Sequence, residues 1–154
     1  MQIVPFSDTA LDTVYTIQRE AYRPLYEKYR DDESTPYLET RETIFCKYTK
    51  PGTQGYLFQE DGHIVGTVRV AFDPENGSAR ISALGVLPGY QGRGIAQHAL
   101  LQIEKMHPEV KTWTLDTILE EPGNCHLYEK LGYKRFGEPK RLRDNMTLVF
   151  YKKQ

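Results

Sequence analysis

Apolar and polar residues alternate with two different periods along the chain, and the changes of period mark out its elements. Met1–Pro5 reads as a short opening strand. Ser7 and Asp8 then supply side chains of the helix-capping type ahead of Leu11, Val14, Tyr15, Ile17 and Gln18, whose spacing predicts a first helix. Pro24 is expected to interrupt it, and a second helical stretch through Leu25, Tyr26 and Tyr29 runs into Asp31-Asp32-Glu33 and stops before Pro36. Leu38–Tyr48 fits a further helix, or a strand through the β-branched and aromatic run Thr43-Ile44-Phe45. From Gln54 the pattern is that of strands. Tyr56-Leu57-Phe58, Asp61-Gly62 and Ile64–Val70 make a hairpin with a two-residue primed turn, and Asn76-Gly77 leads into a third antiparallel strand over Ala79–Leu87. After Pro88 the period becomes helical through Ile95, Ala99, Leu100, Ile103 and Met106, until Pro108. Lys111–Asp116 reads as a strand, Cys125–Leu131 as a short helix ended by Gly132, and Tyr133–Phe136 and Met146–Tyr151 as the last strands. The class is mixed α and β.

The 154 residues fit one domain with a core of its own, and no repeat, low-complexity run or linker divides them. With 39% hydrophobic and 27% charged residues and a mean hydropathy of -0.60, the composition is that of a globular protein. Twenty Lys and Arg against twenty-one Asp and Glu leave a formal charge of -1, which argues against nucleic acid or an anionic membrane as partner. No stretch is apolar enough to span a membrane and no leader pattern opens the chain, so a cytoplasmic protein is expected. Cys46 and Cys125 lack zinc or disulfide spacing and read as free thiols. His98 and His126 fall on helices without a second ligand at metal spacing, and no metal is expected.

The chemistry sits in Leu84-Gly85-Val86-Leu87-Pro88-Gly89-Tyr90-Gln91-Gly92-Arg93-Gly94-Ile95-Ala96, where a strand passes through a glycine-rich turn directly into an amphipathic helix. Gly92 and Gly94 carry no Cβ to keep a ligand away, and the free N–H groups of the helix start face outward with the positive end of the dipole behind them. A pyrophosphate suits such a turn. Arg93 adds positive charge, and Ala96 leaves room. An ATP or GTP loop of the Walker type would need Gly-Lys-Ser/Thr where Gly94-Ile95-Ala96 stands. A dinucleotide fingerprint would need a glycine where Gln97 stands, and a parallel rather than an antiparallel sheet before it.

Gln91-Gly92-Arg93-Gly94-Ile95-Ala96, following Leu84-Gly85-Val86-x-Pro88, resembles the Gln/Arg-x-x-Gly-x-Gly/Ala signature of the GNAT superfamily of acyl-CoA-dependent N-acyltransferases. Downstream, Leu127-Tyr128-Glu129-Lys130-Leu131-Gly132-Tyr133 is similar to the Leu-Tyr-Glu-x-x-Gly-Phe/Tyr segment of that family. The resemblance covers the stretch from Tyr56 to Phe136 and the final strand, and the first fifty residues share only the order strand, helix, helix. It implies a mixed, mostly antiparallel central sheet flanked by helices and splayed between the fourth and fifth strands. It also implies acetyl-CoA as cofactor and transfer of its acetyl group to a primary amine of a small molecule or peptide by direct attack.

By the same resemblance the backbone of Leu84, Gly85 and Val86 would meet the pantetheine arm, and Gln91, Gly92, Arg93, Gly94, Ile95 and Ala96 the pyrophosphate. Tyr128 matches the tyrosine that many members place near the thioester sulfur as general acid. A phenol of pKa about 10 protonates a thiolate of pKa about 8.5 at an uphill cost of roughly 2 kcal/mol. An alkylammonium of pKa about 10.4 must first lose its proton, at a cost near pH 7 of roughly 4.6 kcal/mol. Many members carry a Glu early in the strand before the glycine turn, where Arg80 stands here, and Asp116 at the end of its strand is the remaining candidate base. The family's Asn seven residues before the Tyr is replaced by Glu121, so Asn124 either takes over the cofactor contact or caps its helix.

The acceptor region holds Glu20, Tyr22, Tyr26, Tyr29, Asp31, Asp32, Glu33, Tyr37, Glu39 and Glu42, which suits a cationic amine, whereas Arg69 and Arg80 suit one that also carries a carboxylate. Polyamine, amino sugar, amino acid and protein amine all stay open. The missing early Glu and displaced Asn keep a second reading, a non-catalytic acyl-CoA-binding sensor or interaction module. The apolar final strand Thr147–Tyr151 offers an edge through which a homodimer could form.

Overall fold

A computed structural model describes residues 1–154 and arranges them around one seven-stranded sheet. The strands are β1 (Gln2–Pro5), β2 (Thr53–Glu60), β3 (His63–Asp73), β4 (Ser78–Val86), β5 (Thr112–Ile118), β6 (Lys134–Arg143) and β7 (Met146–Lys153), and the helices are α1 (Leu11–Tyr29), α2 (Arg41–Thr49), α3 (Ile95–Met106) and α4 (Pro122–Lys130). The sheet order is β1-β2-β3-β4-β5-β7-β6, antiparallel except where β4 meets β5. Alternation in β2 sorts the two faces: Leu57 packs with Val14, Ile44 and Tyr48 under α1 and α2, while its neighbours Tyr56 and Phe58 join Leu100 and Ile103 of α3 in the larger cluster. No helix is long and apolar enough to cross a membrane.

The three-stranded meander is as expected. Glu60 faces His63 across the β2–β3 turn, with Asp61 and Gly62 at φ 51° and 79°, the left-handed pair that a primed two-residue turn requires. The parallel pairing of β4 and β5 covers only Ser78–Arg80 against Thr112–Thr114, and beyond it the two strands part. That is the expected splay, and it opens the sheet from its middle.

Three expectations are corrected and one open choice is settled. Pro24 lies inside α1, which is one helix from Leu11 to Tyr29 rather than two. Proline removes one backbone bond, but side-chain bonds on either side of it hold the helix down: Tyr22 Oη donates to the Leu84 carbonyl (2.7 Å), and Tyr29 Oη and Lys28 Nζ both donate to Glu121 Oε2 (2.5 and 2.6 Å). Ser7 and Asp8 do not cap α1; they enter a 3-10 turn over Asp8–Ala10, with no capping bond from Ser7. For α2 the ambiguity resolves to helix, because Thr40 sits at its N-cap and Oγ1 accepts from the Thr43 amide (3.2 Å). Finally, β7 is an interior strand paired to β5 on one side and β6 on the other, so Thr147–Tyr151 presents no open edge for a dimer.

Candidate active site

Where β4 and β5 separate, a cleft of about 770 Å³ opens, bounded by α1, the loop before α2, β4, the glycine turn, β5 and α4. Its shape follows from a bulge in β4. Arg69 faces Ser82 but Thr67 faces Gly85, so three residues of β4 advance against two of β3, and Ala83 takes φ 51°. A non-glycine residue in that region costs about 1–2 kcal/mol. The distortion presents the Leu84 carbonyl to Tyr22 on α1. The sequence does not signal it, since the residue at positive φ is an alanine. Leu84, Gly85 and Val86 all line the cleft on the side where β4 has lost its strand partner. Two of their acceptors are already used: Leu84 by Tyr22, and the Val86 carbonyl by Gln91 Nε2 (2.9 Å). Gln91 thereby braces the turn against the end of β4.

The turn itself is open. Gly94 is the N-cap of α3 at φ 78°, and Gly92 has φ 77°, so both hold the left-handed backbone that side chains rarely adopt. A Cβ built on either would meet no protein atom within 4 Å. The first amide of the helix region with a backbone acceptor is that of His98, on the Gly94 carbonyl (3.0 Å), and the amides of Gly92, Arg93, Gly94, Ile95, Ala96 and Gln97 donate to no protein group. Six consecutive unpaired N–H groups stand at the positive end of a 12-residue helix, an arrangement that favours an anion. Gln91, Gly92, Gly94, Ile95 and Ala96 line the cleft. Arg93 does not; its guanidinium lies 4.9 Å from the centre of the Tyr90 ring.

Tyr128 is buried on α4, its ring at 6.1 Å from those of Tyr133 and Tyr151, and it lines the cleft beside Asn124 and Leu127. Burial, with the charge of Asp116 adding to it, holds its phenol well above the ordinary tyrosine range. It therefore carries its proton throughout the neutral and alkaline range. Asn124 is not the helix cap, because Glu121 takes that position; instead Asn124 lies in the first turn, its amide on the Glu121 carbonyl (3.1 Å), facing the cleft. Glu121 is in turn the anchor for the end of α1.

Asp116 comes to the cleft wall at the point where β5 leaves β4, and Arg80 Nη2 donates to its Oδ2 (2.7 Å). The arginine that stands in place of the early glutamate is thus the direct partner of the candidate base, a pairing that residue spacing alone did not reveal. Oδ1 of Asp116 is left for other work. Neither cysteine lines the cleft: Cys46 is exposed on α2, and the buried Cys125 directs Sγ at the Ile118 carbonyl (3.7 Å).

A bulged strand splayed from its parallel neighbour, a free-amide turn into a helix and a buried tyrosine on the next helix together define an acyl-CoA-type transferase site. The model of the acetyltransferase (GNAT) family matches residues 11–133, and the chain belongs to that family. No curated protein sequence matches it. Among solved structures it is similar to the ribosomal-protein-S18-alanine N-acetyltransferase from Escherichia coli, at TM-score 0.78 and 15% identity over 99% of this chain and 92% of that one. It is also similar to spermidine N-acetyltransferase from Vibrio cholerae in complex with CoA and spermine, at TM-score 0.78 and 15% identity over 98% and 93%. A third is the acetyl transferase from Salmonella typhimurium that modifies the N-terminal serine of ribosomal protein L7/L12, at TM-score 0.78 and 13% identity over 98% and 92%. At these identities the likeness carries the fold.

Proposed function

We propose that the whole chain acts as one N-acetyltransferase domain that moves an acetyl group from acetyl-CoA to the primary amine of a small molecule or peptide, with Tyr128 as general acid and Asp116 as the proton acceptor. The observation that carries this reading is the row of unpaired amides from Gly92 to Gln97 opening onto the same cleft as the Tyr128 phenol. When bound, acetyl-CoA supplies the thioester whose acyl group an unprotonated amine takes directly. Gly92 to Gln97 hold the diphosphate, Asn124 borders the arm, and the β5-facing edge of Leu84–Val86 supplies its backbone wall.

Tyr128 keeps a proton at Oη for the departing sulfur, and burial keeps that proton in place until it is needed. Asp116 Oδ1, with Oδ2 fixed by Arg80, receives the ammonium proton directly or through a water. No cysteine is positioned to carry the acetyl group, in keeping with direct attack. Two unpaired thiols suit a reducing compartment, and we place the reaction in the cytoplasm.

The test is release of free thiol from acetyl-CoA across a panel of primary amines between about pH 6 and 9. Amine-dependent release supports the reading. Acetyl-CoA binding with no release above background would leave a binding module in its place.

A further inference from the structure

The acceptor end of the cleft, between α1, the loop before α2 and β3, is where charge decides what enters. Four carboxylates line the cleft, and three of them are paired with a cation. Glu39 accepts from Lys47 and from Gln18 Nε2 (2.7 Å), Asp116 from Arg80, Glu121 from Lys28 and Tyr29, and Asp31 from the Glu33 amide and the Ser34 amide and hydroxyl of its own loop. Asp31 alone has no cation beside it, and its oxygens are taken up by its own loop, so a polycation would find one uncompensated charge there rather than several. Of the three cations in the lining, Lys47 and Arg80 are paired with those carboxylates. Arg69 is not.

Arg69 lies on the α1–α2 face of β3, opposite Ser82 at the β4 bulge, with its guanidinium 6.0 Å from the centre of the Tyr48 ring. Its Nη1 is buried and makes no hydrogen bond. An unpaired buried guanidinium nitrogen on a cleft wall is costly unless a ligand completes it. Arg69 shares its cleft with the chemistry: Tyr22, hydrogen-bonded to Leu84, lines it together with Arg69, Asp116 and Tyr128. One free guanidinium matches a singly charged planar anion, which it can grip through two parallel bonds.

We propose that the acceptor amine also carries a carboxylate, as an amino acid does, and that Arg69 is the residue that recognises it. This rests on the N-acetyltransferase reading of the cleft.

The test compares kcat/KM, by thiol release from acetyl-CoA, for amino acids and their decarboxylated counterparts: L-lysine with cadaverine, L-tyrosine with tyramine, L-histidine with histamine, and spermidine alongside. In at least one pair the carboxylate-bearing member is expected to lead by about 10- to 100-fold, the range of a lost charge-assisted bidentate contact. Arg69→Gln should bring that ratio close to one through KM, Arg69→Lys should keep part of it, and calorimetric binding of acetyl-CoA to both variants shows that they are folded. Preference for spermidine or the decarboxylated amines, a ratio unchanged in Arg69→Gln, or no turnover of any amino acid by protein that binds acetyl-CoA would each overturn the proposal. Failure of the wild-type chain to bind acetyl-CoA would instead remove the reading on which it rests.

Discussion

In the proposed reaction Tyr128 Oη is the most exacting atom, because its burial makes the proton secure and at the same time makes full transfer to sulfur more uphill than for a free phenol. The hydrogen bond it offers must therefore strengthen as the sulfur gains charge. Tyr128→Phe removes only that oxygen, and turnover is expected to fall by about 10²-fold or more with the acetyl-CoA dissociation constant nearly unchanged; equal turnover would assign Tyr128 to packing against Tyr133 and Tyr151. Asp116→Asn keeps the shape of its strand but takes away the proposed proton acceptor and the charge that pairs with Arg80. A loss in kcat/KM of about 10-fold or more, largest at low pH where the amine is most fully protonated, is expected from steady-state rates. Residue types and motif spacing pointed to Tyr128, Asp116 and the glycine turn, and all three border one cleft. What they left out were relations between distant strands: Arg80 meeting Asp116, Gln91 bracing Val86, and Arg69 having no partner each require the tertiary path to be known.

Local patterning located each strand and the helices α3 and α4, but β6 runs on to Arg143, well past the expected Tyr133–Phe136, because its exposed residues carry no period. It failed where long-range contacts outweighed a local rule. At Pro24 the bonds from Tyr22, Lys28 and Tyr29 to β4 and α4 sustain a helix that the missing N–H would otherwise end. At Ala83 the pairing of β3 with β4 imposes a left-handed residue that its chemistry does not invite. In the glycine turn the local signal and the structure agree, and a sharp expectation follows. Gly94→Ala introduces a methyl group that touches no protein atom but sits among the unpaired amides and on a left-handed backbone. Unfolding by urea should show a loss of about 1 kcal/mol, and calorimetry should show acetyl-CoA binding weakened by about 10-fold or more; full affinity would mean that the diphosphate lies elsewhere.

The molecule as a whole is two clusters on the two faces of a sheet that divides at β4 and β5, and the division turns a strand edge that would otherwise be buried into a binding surface. The same packing encloses an unusual set of phenols. Burial raises Tyr22, Tyr128 and Tyr133 well above the ordinary range and pushes Tyr48 up to about 12. These groups ionise near pH 10 in the unfolded chain but hold their protons in the folded one, so the folded state binds more protons and stability falls as pH rises above about 10. Each fully buried phenol contributes up to about 1.4 kcal/mol per pH unit in that window, and the full stabilisation is present below it. Urea midpoints measured between about pH 9 and 11 should decline steeply over the upper half of the range; a flat profile would mean that these hydroxyls are reached by water.

The most direct test of the whole account is calorimetric titration of the intact chain with acetyl-CoA, with ATP and NADH as controls for binding by phosphate alone. The predicted result is a dissociation constant of about micromolar order for acetyl-CoA and none measurable for either control, since only acetyl-CoA presents a diphosphate to the Gly92–Gln97 amides and an arm to Leu84–Val86 together. No binding of acetyl-CoA would make the glycine turn a structural connection and contradict the account.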